Sequence, residues 1–141
     1  MSLRRCAALL RGDAARQAIL LATARGTVAL SAQLEGLSRK LHRMTADYVV
    51  QRAQFDRPLA DFQSIRHTLA NLHCEIDLGA ASWRRAAVAL KESAPPSSIA
   101  TASIAKARAS DAALAVARAA IQYHGAFGYT EEADVGFYVN A

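Results

Sequence analysis

Apolar residues recur along this chain at alternating steps of three and four, the rhythm of helices that each bury one face. Between about residues 13 and 54 the recurring set is Leu30, Leu34, Leu37, Leu41, Met44 and Tyr48. Arg11-Gly12-Asp13 reads as a turn with Asp13 as the helix N-cap; Gly26 is a place where the stretch could divide in two, and Gly36 a point of close packing. Asp56-Arg57-Pro58 breaks the pattern, because proline disfavours helical geometry in the residue before it. Asp61 then reads as the cap of a second helix carrying Phe62, Ile65, Leu69, Leu72, Ile76 and Trp83. Pro95-Pro96, among small polar residues, marks a loop over residues 93–98 with Ser97 or Ser98 as the next cap. The third helix, from Ile99 to about Tyr123, is dominated by alanine, with Ile104, Leu114, Val116 and Ile121 as its larger members. Small side chains on this scale let helix backbones approach, so the third helix belongs at the centre. Gly125-Ala126-Phe127-Gly128 ends it, and Thr130 caps a last short helix through Phe137. The pattern predicts an all-α fold, an antiparallel up-and-down four-helix bundle over residues 14–141. Residues 1–13 stand apart as a lead.

Composition agrees with that reading and narrows the function. Hydrophobic residues make up 52% of the 141 and charged residues 21%, enough for a core without disulfides or metal. Three prolines and seven glycines are too few for a strand-and-turn architecture. The net charge is +5, but the basic residues are spread along helices without interleaved aromatics, which argues against nucleic acid. Charges interrupt every apolar stretch, so no membrane span is expected. Arg11 closes the short apolar run after Arg4-Arg5, which argues against an export signal. Cys6 and Cys74 have no metal or redox spacing and read as reduced thiols of a cytoplasmic protein. His67 and His73, six apart, fall on different helix faces, which excludes a shared metal site. His124 ends a helix, where a positive charge suits the dipole.

Two segments carry more chemistry than packing requires. Tyr48 to Leu59 holds Arg52, Gln54 and Phe55 at the end of a long helix, with Phe62-Gln63 following. A guanidinium can grip phosphate oxygens in a fork while an aromatic face covers a base. The same residues also allow a bland account, with Arg52 paired to Asp56 or Asp61 and Phe55 closing the core. The second segment is Gln122-Tyr123-His124-Gly125-Ala126-Phe127-Gly128-Tyr129-Thr130-Glu131-Glu132. Its glycines expose backbone N–H groups beside a glutamine amide, which suits an anionic or heterocyclic ligand, or else it is an ordinary helix-ending turn.

Taken together, the two segments resemble the acyl-CoA dehydrogenase family in its C-terminal helical domain. The resemblance runs through Tyr48, Arg52-x-x-Phe55-x-x-Pro58-Leu59, Phe62-Gln63, Ala70, Ala105-Lys106 and Ile121-Gln122-x-His124-Gly125-x-x-Gly128-Tyr129-Thr130-Glu131-Glu132. Order and spacing hold from about Thr27 onward, and several separated motifs in register are far more specific than one. The resemblance implies an FAD enzyme with an N-terminal helical domain, a middle β-domain and this bundle, assembled as a homo-oligomer. It implies that Arg52, Gln54 and Phe55, with Gln63 nearby and Gln122 and Gly125 from the later turn, meet the adenosine-pyrophosphate part of an FAD bound mainly by a neighbouring subunit. The reaction it implies is α,β-dehydrogenation of an acyl-CoA thioester, with a carboxylate taking the α-proton.

The sequence also departs from the family. Asp56 and Ala126 stand where glycines are usual, and an acid beside a pyrophosphate site would repel it. The family's usual catalytic glutamate falls beyond Ala141, and the alternative position on the first long helix is close to Gly26, so no catalytic residue is assigned. Glu35 does not match that position, and Arg25 is only close to the family's substrate-side arginine near Thr27. These departures imply a chain that is inactive alone: a shortened or degraded form, or one piece completed by a companion subunit carrying the other domains. Residues 1–13 are then the remnant of a preceding β-domain or a disordered lead. The alternative function is an oligomerisation scaffold without catalysis.

Overall fold

The computed structural model describes residues 8–92, 95–130 and 134–140. Helix α1 spans Gly12–Gln51, α2 Gln63–Glu92, α3 Pro95–His124 and α4 Val135–Val139. A two-strand ladder, β1 Ala53–Gln54 against β2 Arg57–Pro58, and a 3-10 turn Leu59–Asp61 join α1 to α2. A second 3-10 turn, Gly125–Tyr129, follows α3. The expected antiparallel bundle forms, with three long helices and a fourth of a single turn. Glu131 and Glu132 of the second motif, the Ser93 end of the α2–α3 loop and residues 1–7 of the lead lie outside the described residues.

Helix α1 is unbroken for 40 residues, about 60 Å at 1.5 Å per residue. Gly26 does not divide it, and a Cβ added at Gly26 or Gly36 would meet nothing within 4 Å, so neither glycine serves close packing. Its first turn is capped by no side chain: the helix starts at Gly12 and its cap position is Arg11 rather than Asp13. Helix α2 likewise begins after Phe62, whose carbonyl accepts from Ile65 and Arg66, and Asp61 closes the 3-10 turn instead of capping α2. Ser97 and Ser98 lie inside α3, which starts at Pro95, where a proline's missing N–H costs nothing.

Two clusters define the direction of the helices. Leu41 of α1 meets Leu72 and Ile76 of α2, Val116 and Ala120 of α3, and Val135 of α4. At the other end Ala24 and Val28 of α1 meet Ala86 of α2 and Ala102 and Ala105 of α3. So α2 runs against both neighbours, while α1 and α3 run the same way and finish at the same end of the bundle.

The buried face of α1 follows the leucine row only in part, through Leu41 and the partly buried Met44. Ala24, Val28, Ser31, Ser38, Leu41, Thr45 and Val49 are buried, whereas Leu30 is 52% exposed and Leu34 and Leu37 are half-buried. Opposite them α3 buries Ala102, Ala105, Ala109, Ala112, Val116 and Ala120, and its larger Ile104 and Leu114 face outward. Small residues on both helices bring the axes together. The buried hydroxyls are satisfied within their own helix: Ser31 Oγ donates to Thr27 O at 2.7 Å, Ser38 Oγ to Leu34 O at 2.7 Å and Thr45 Oγ1 to Leu41 O at 2.8 Å. At the rim Arg39 bonds both Glu35 (2.7 Å) and, across to α2, Asp77 (2.9 Å). That bond holds the Asp77 carboxyl below its ordinary range.

The ladder forms a tight hairpin. Its two central residues, Phe55 and Asp56, have φ of 57° and 62°. Positive φ at both positions marks a type I′ turn, which favours glycine or asparagine. Arg57 lies 3.9 Å over the Phe62 ring, and Phe62 meets Phe55 edge-on at 6.1 Å, so the turn is braced from behind.

Two outcomes follow. Ile76→Ala should lower unfolding stability by about 2–5 kcal/mol, against about 0.5 kcal/mol or less for Leu30→Ala, in chemical denaturation. Asp56→Gly should raise stability by up to about 1 kcal/mol in the same measurement, by removing a side chain from a left-handed position.

Candidate nucleotide-binding cavity

The common end of α1 and α3 carries a cavity of about 510 Å³, lined by Tyr48, Arg52, Gln54, Leu59, Tyr123, His124, Gly125 and Ala126. It is built from the two segments singled out in the sequence. Each reaches it for a local reason. Helix α1 stops at Gln51, and the Arg52 N–H makes its closing bond to Tyr48 O at 2.9 Å. The hairpin then folds back, with Leu59 N–H donating to Arg52 O at 2.8 Å, which sets Leu59 beside Arg52 on the wall. From the other side α3 ends at His124 and the chain turns at Gly125, whose φ of 59° is the left-handed helix stop that glycine makes without strain.

Of the six residues expected to meet a dinucleotide, Arg52, Gln54 and Gly125 line this cavity; Phe55, Gln63 and Gln122 do not. All three of the latter are exposed, Phe55 at 83%. Phe55 therefore does not close the core, and Arg52, also exposed, pairs with neither Asp56 nor Asp61. The bland account of that segment fails. The segments meet within a single chain, which the sequence alone did not establish. Asp56 sits at the hairpin tip and is not among the lining residues, so the acid flagged in the sequence is not on the wall.

The floor was missed at the sequence level. Tyr48 and His124 stack with ring centroids 4.2 Å apart and planes at 23°. His124 is 6% exposed, and its Nδ1 lies 2.8 Å from Ala120 O. Nothing in one segment's spacing announces a ring pair made by residues 76 positions apart, although Tyr48 and His124 were each part of a motif. A flexible guanidinium, an amide, a left-handed glycine and an aromatic floor can together hold a phosphate and a flat ring.

The family model for the acyl-CoA dehydrogenase C-terminal domain matches residues 13–140. A short-chain specific acyl-CoA dehydrogenase of Megasphaera elsdenii is 36% identical over 107 residues, 76% of this chain and 27% of the relative. The solved butyryl-CoA dehydrogenase of the same organism superposes with a TM-score of 0.78 at 32% identity, over 86% of this chain and 31% of that one. The solved ChsE4-ChsE5 complex of Mycobacterium tuberculosis superposes at 0.72 with 28% identity, over 80% and 30%. The chain thus spans about a third or less of the proteins it matches. Over that span it belongs to the acyl-CoA dehydrogenase family, as its C-terminal helical domain.

Proposed function

We propose that this domain serves an FAD-dependent acyl-CoA dehydrogenase, and that its cavity holds the adenosine-pyrophosphate part of the cofactor. The observation that carries this is the Arg52 guanidinium, without an acidic partner among the described residues and brought beside Gln54 and the Gly125 bend in one cavity. The donor set fits the group: a cation for the pyrophosphate, backbone and amide groups for the sugar and base, and no acid on the wall among the described residues. Phe55, Gln63 and Gln122 are exposed, which leaves them able to meet a nucleotide held by a neighbouring subunit. When bound, flavin supplies the two-electron acceptor for α,β-dehydrogenation of an acyl-CoA thioester. The chain's own part is to bind and orient. In such an enzyme the flavin-cradling and proton-abstracting groups come from outside these described residues.

A second reading, an oligomerisation module, rests on the leucine row. Leu30, Leu114 and Phe137 are 52%, 51% and 73% exposed, beside a groove of about 200 Å³ lined by Leu34, Leu37, Leu41, Tyr138 and Val139. Helices with such a face bury it against another surface, and a second copy is the partner that suits a homo-oligomer. The two readings are compatible in one enzyme. The exposed thiol of Cys74 suits a reducing, cytoplasmic setting. Among the described residues no helix is long and apolar enough to cross a membrane.

Arg52→Ala in the assembled enzyme should weaken flavin retention about 10- to 100-fold, the scale of a lost charge-assisted contact, read from flavin absorbance after dialysis. Unchanged retention would remove Arg52 from the site. Leu30→Glu with Leu114→Glu should shift the chain to monomer in sedimentation velocity; an unmoved oligomer would exclude this face as the interface.

A further inference from the structure

His124 has three attachments beyond its place at the end of α3. One ring nitrogen is tied to Ala120 O at 2.8 Å, so the ring cannot swing away from its own helix. One ring face is stacked on Tyr48 of α1, 4.2 Å away. Its Cβ lies against the backbone of the following turn, since a Cβ added at Gly128 would meet it at 3.0 Å. The histidine is thus closed in by its own helix, by α1 and by the 3-10 turn.

Tyr48 is one turn before Arg52, and the two share the closing hydrogen bond of α1. Final helical turns fray unless tertiary contacts hold them. Val49 supplies such a contact on the core side, being 1% exposed. On the cavity side the Tyr48–His124 stack is one such contact. A stacked ring pair contributes a modest but directional interaction, and this one connects the turn that ends in Arg52 to the turn that leads into Gly125.

We propose that His124 is a positioning residue of the cavity: clamped by Tyr48 and anchored to α3, its imidazole holds the last turn of α1, and with it Arg52, at a fixed place opposite the Gly125 bend. The consequence for ligand binding rests on the nucleotide reading above. The positioning itself does not. His124 acts through Tyr48 rather than by touching phosphate, so what matters is a flat ring at position 124, not its charge.

The test is a double-mutant cycle on the full chain, with Tyr48→Ala, His124→Ala and both together, and with His124→Phe as the ring-conserving variant. ADP affinity by calorimetry and amide hydrogen exchange at Arg52 and Ile76 are the readouts. His124→Ala and Tyr48→Ala should each weaken ADP binding about three- to tenfold, the range for a lost ring pair. The double variant should be no weaker than either single one. Exchange at the Arg52 amide should quicken by a similar factor in His124→Ala, with Ile76 unmoved, and His124→Phe should restore both to within about twofold. Additive losses, failure of His124→Phe to restore, or an unmoved Arg52 amide would overturn the proposal. Absence of ADP binding to the unaltered chain would count against the nucleotide reading alone, since Arg52 exchange still decides the positioning role.

Discussion

The close approach of α1 and α3 along two faces of small residues governs everything else in this structure. Alanine on α3 and serine, threonine and alanine on α1 leave little bulk along much of the contact, and the two helices run side by side in the same direction. Because α2 returns antiparallel between them in sequence, the ends of α1 and α3 fall at one end of the bundle. The Arg52 segment and the Gly125 segment each sit just past one of those ends. A parallel pair of helices therefore makes neighbours of two motifs about seventy residues apart.

Much of this was legible in the chain. The three-four rhythm, the break at Pro58 and the double proline located the long helices, and separated motifs in register identified the domain. What the rhythm misjudged was how far its row lies inside: Leu41 is buried, but Leu30 is exposed. A leucine row outweighs serine and threonine on any hydropathy argument, yet the inner face of α1 includes Ser31, Ser38 and Thr45. Their hydroxyls bond their own helix one turn back, which removes the penalty that makes polar residues look like surface. Leu30 is left exposed, and Leu34 and Leu37 half-buried. Local chemistry was misjudged in the same way at the caps: Asp13 and Asp61 are good capping residues beside helices that begin without them.

Half of the anticipated cavity residues stand on its wall, and the reason the others do not is geometric. Phe55 occupies the hairpin turn with its ring edge-on to Phe62, and Gln63 and Gln122 are exposed residues outside the cavity lining. The floor needed the fold, because the Tyr48–His124 contact exists only once both helix ends coincide. Asp56 shows the reverse case. Its identity looked hostile to a phosphate, but the I′ geometry carries it to the hairpin tip, where its cost is one of backbone conformation instead.

The satisfied hydroxyls on the inner face of α1 reach beyond packing, into how the fold responds to temperature. A seam of alanine methyls and back-bonded serines exposes less carbon surface per residue on melting than a seam of leucines. The heat capacity of unfolding rises with apolar exposure and falls with polar exposure. Along the α1–α3 contact both effects act in the same direction, so this seam contributes little to the curvature of stability with temperature.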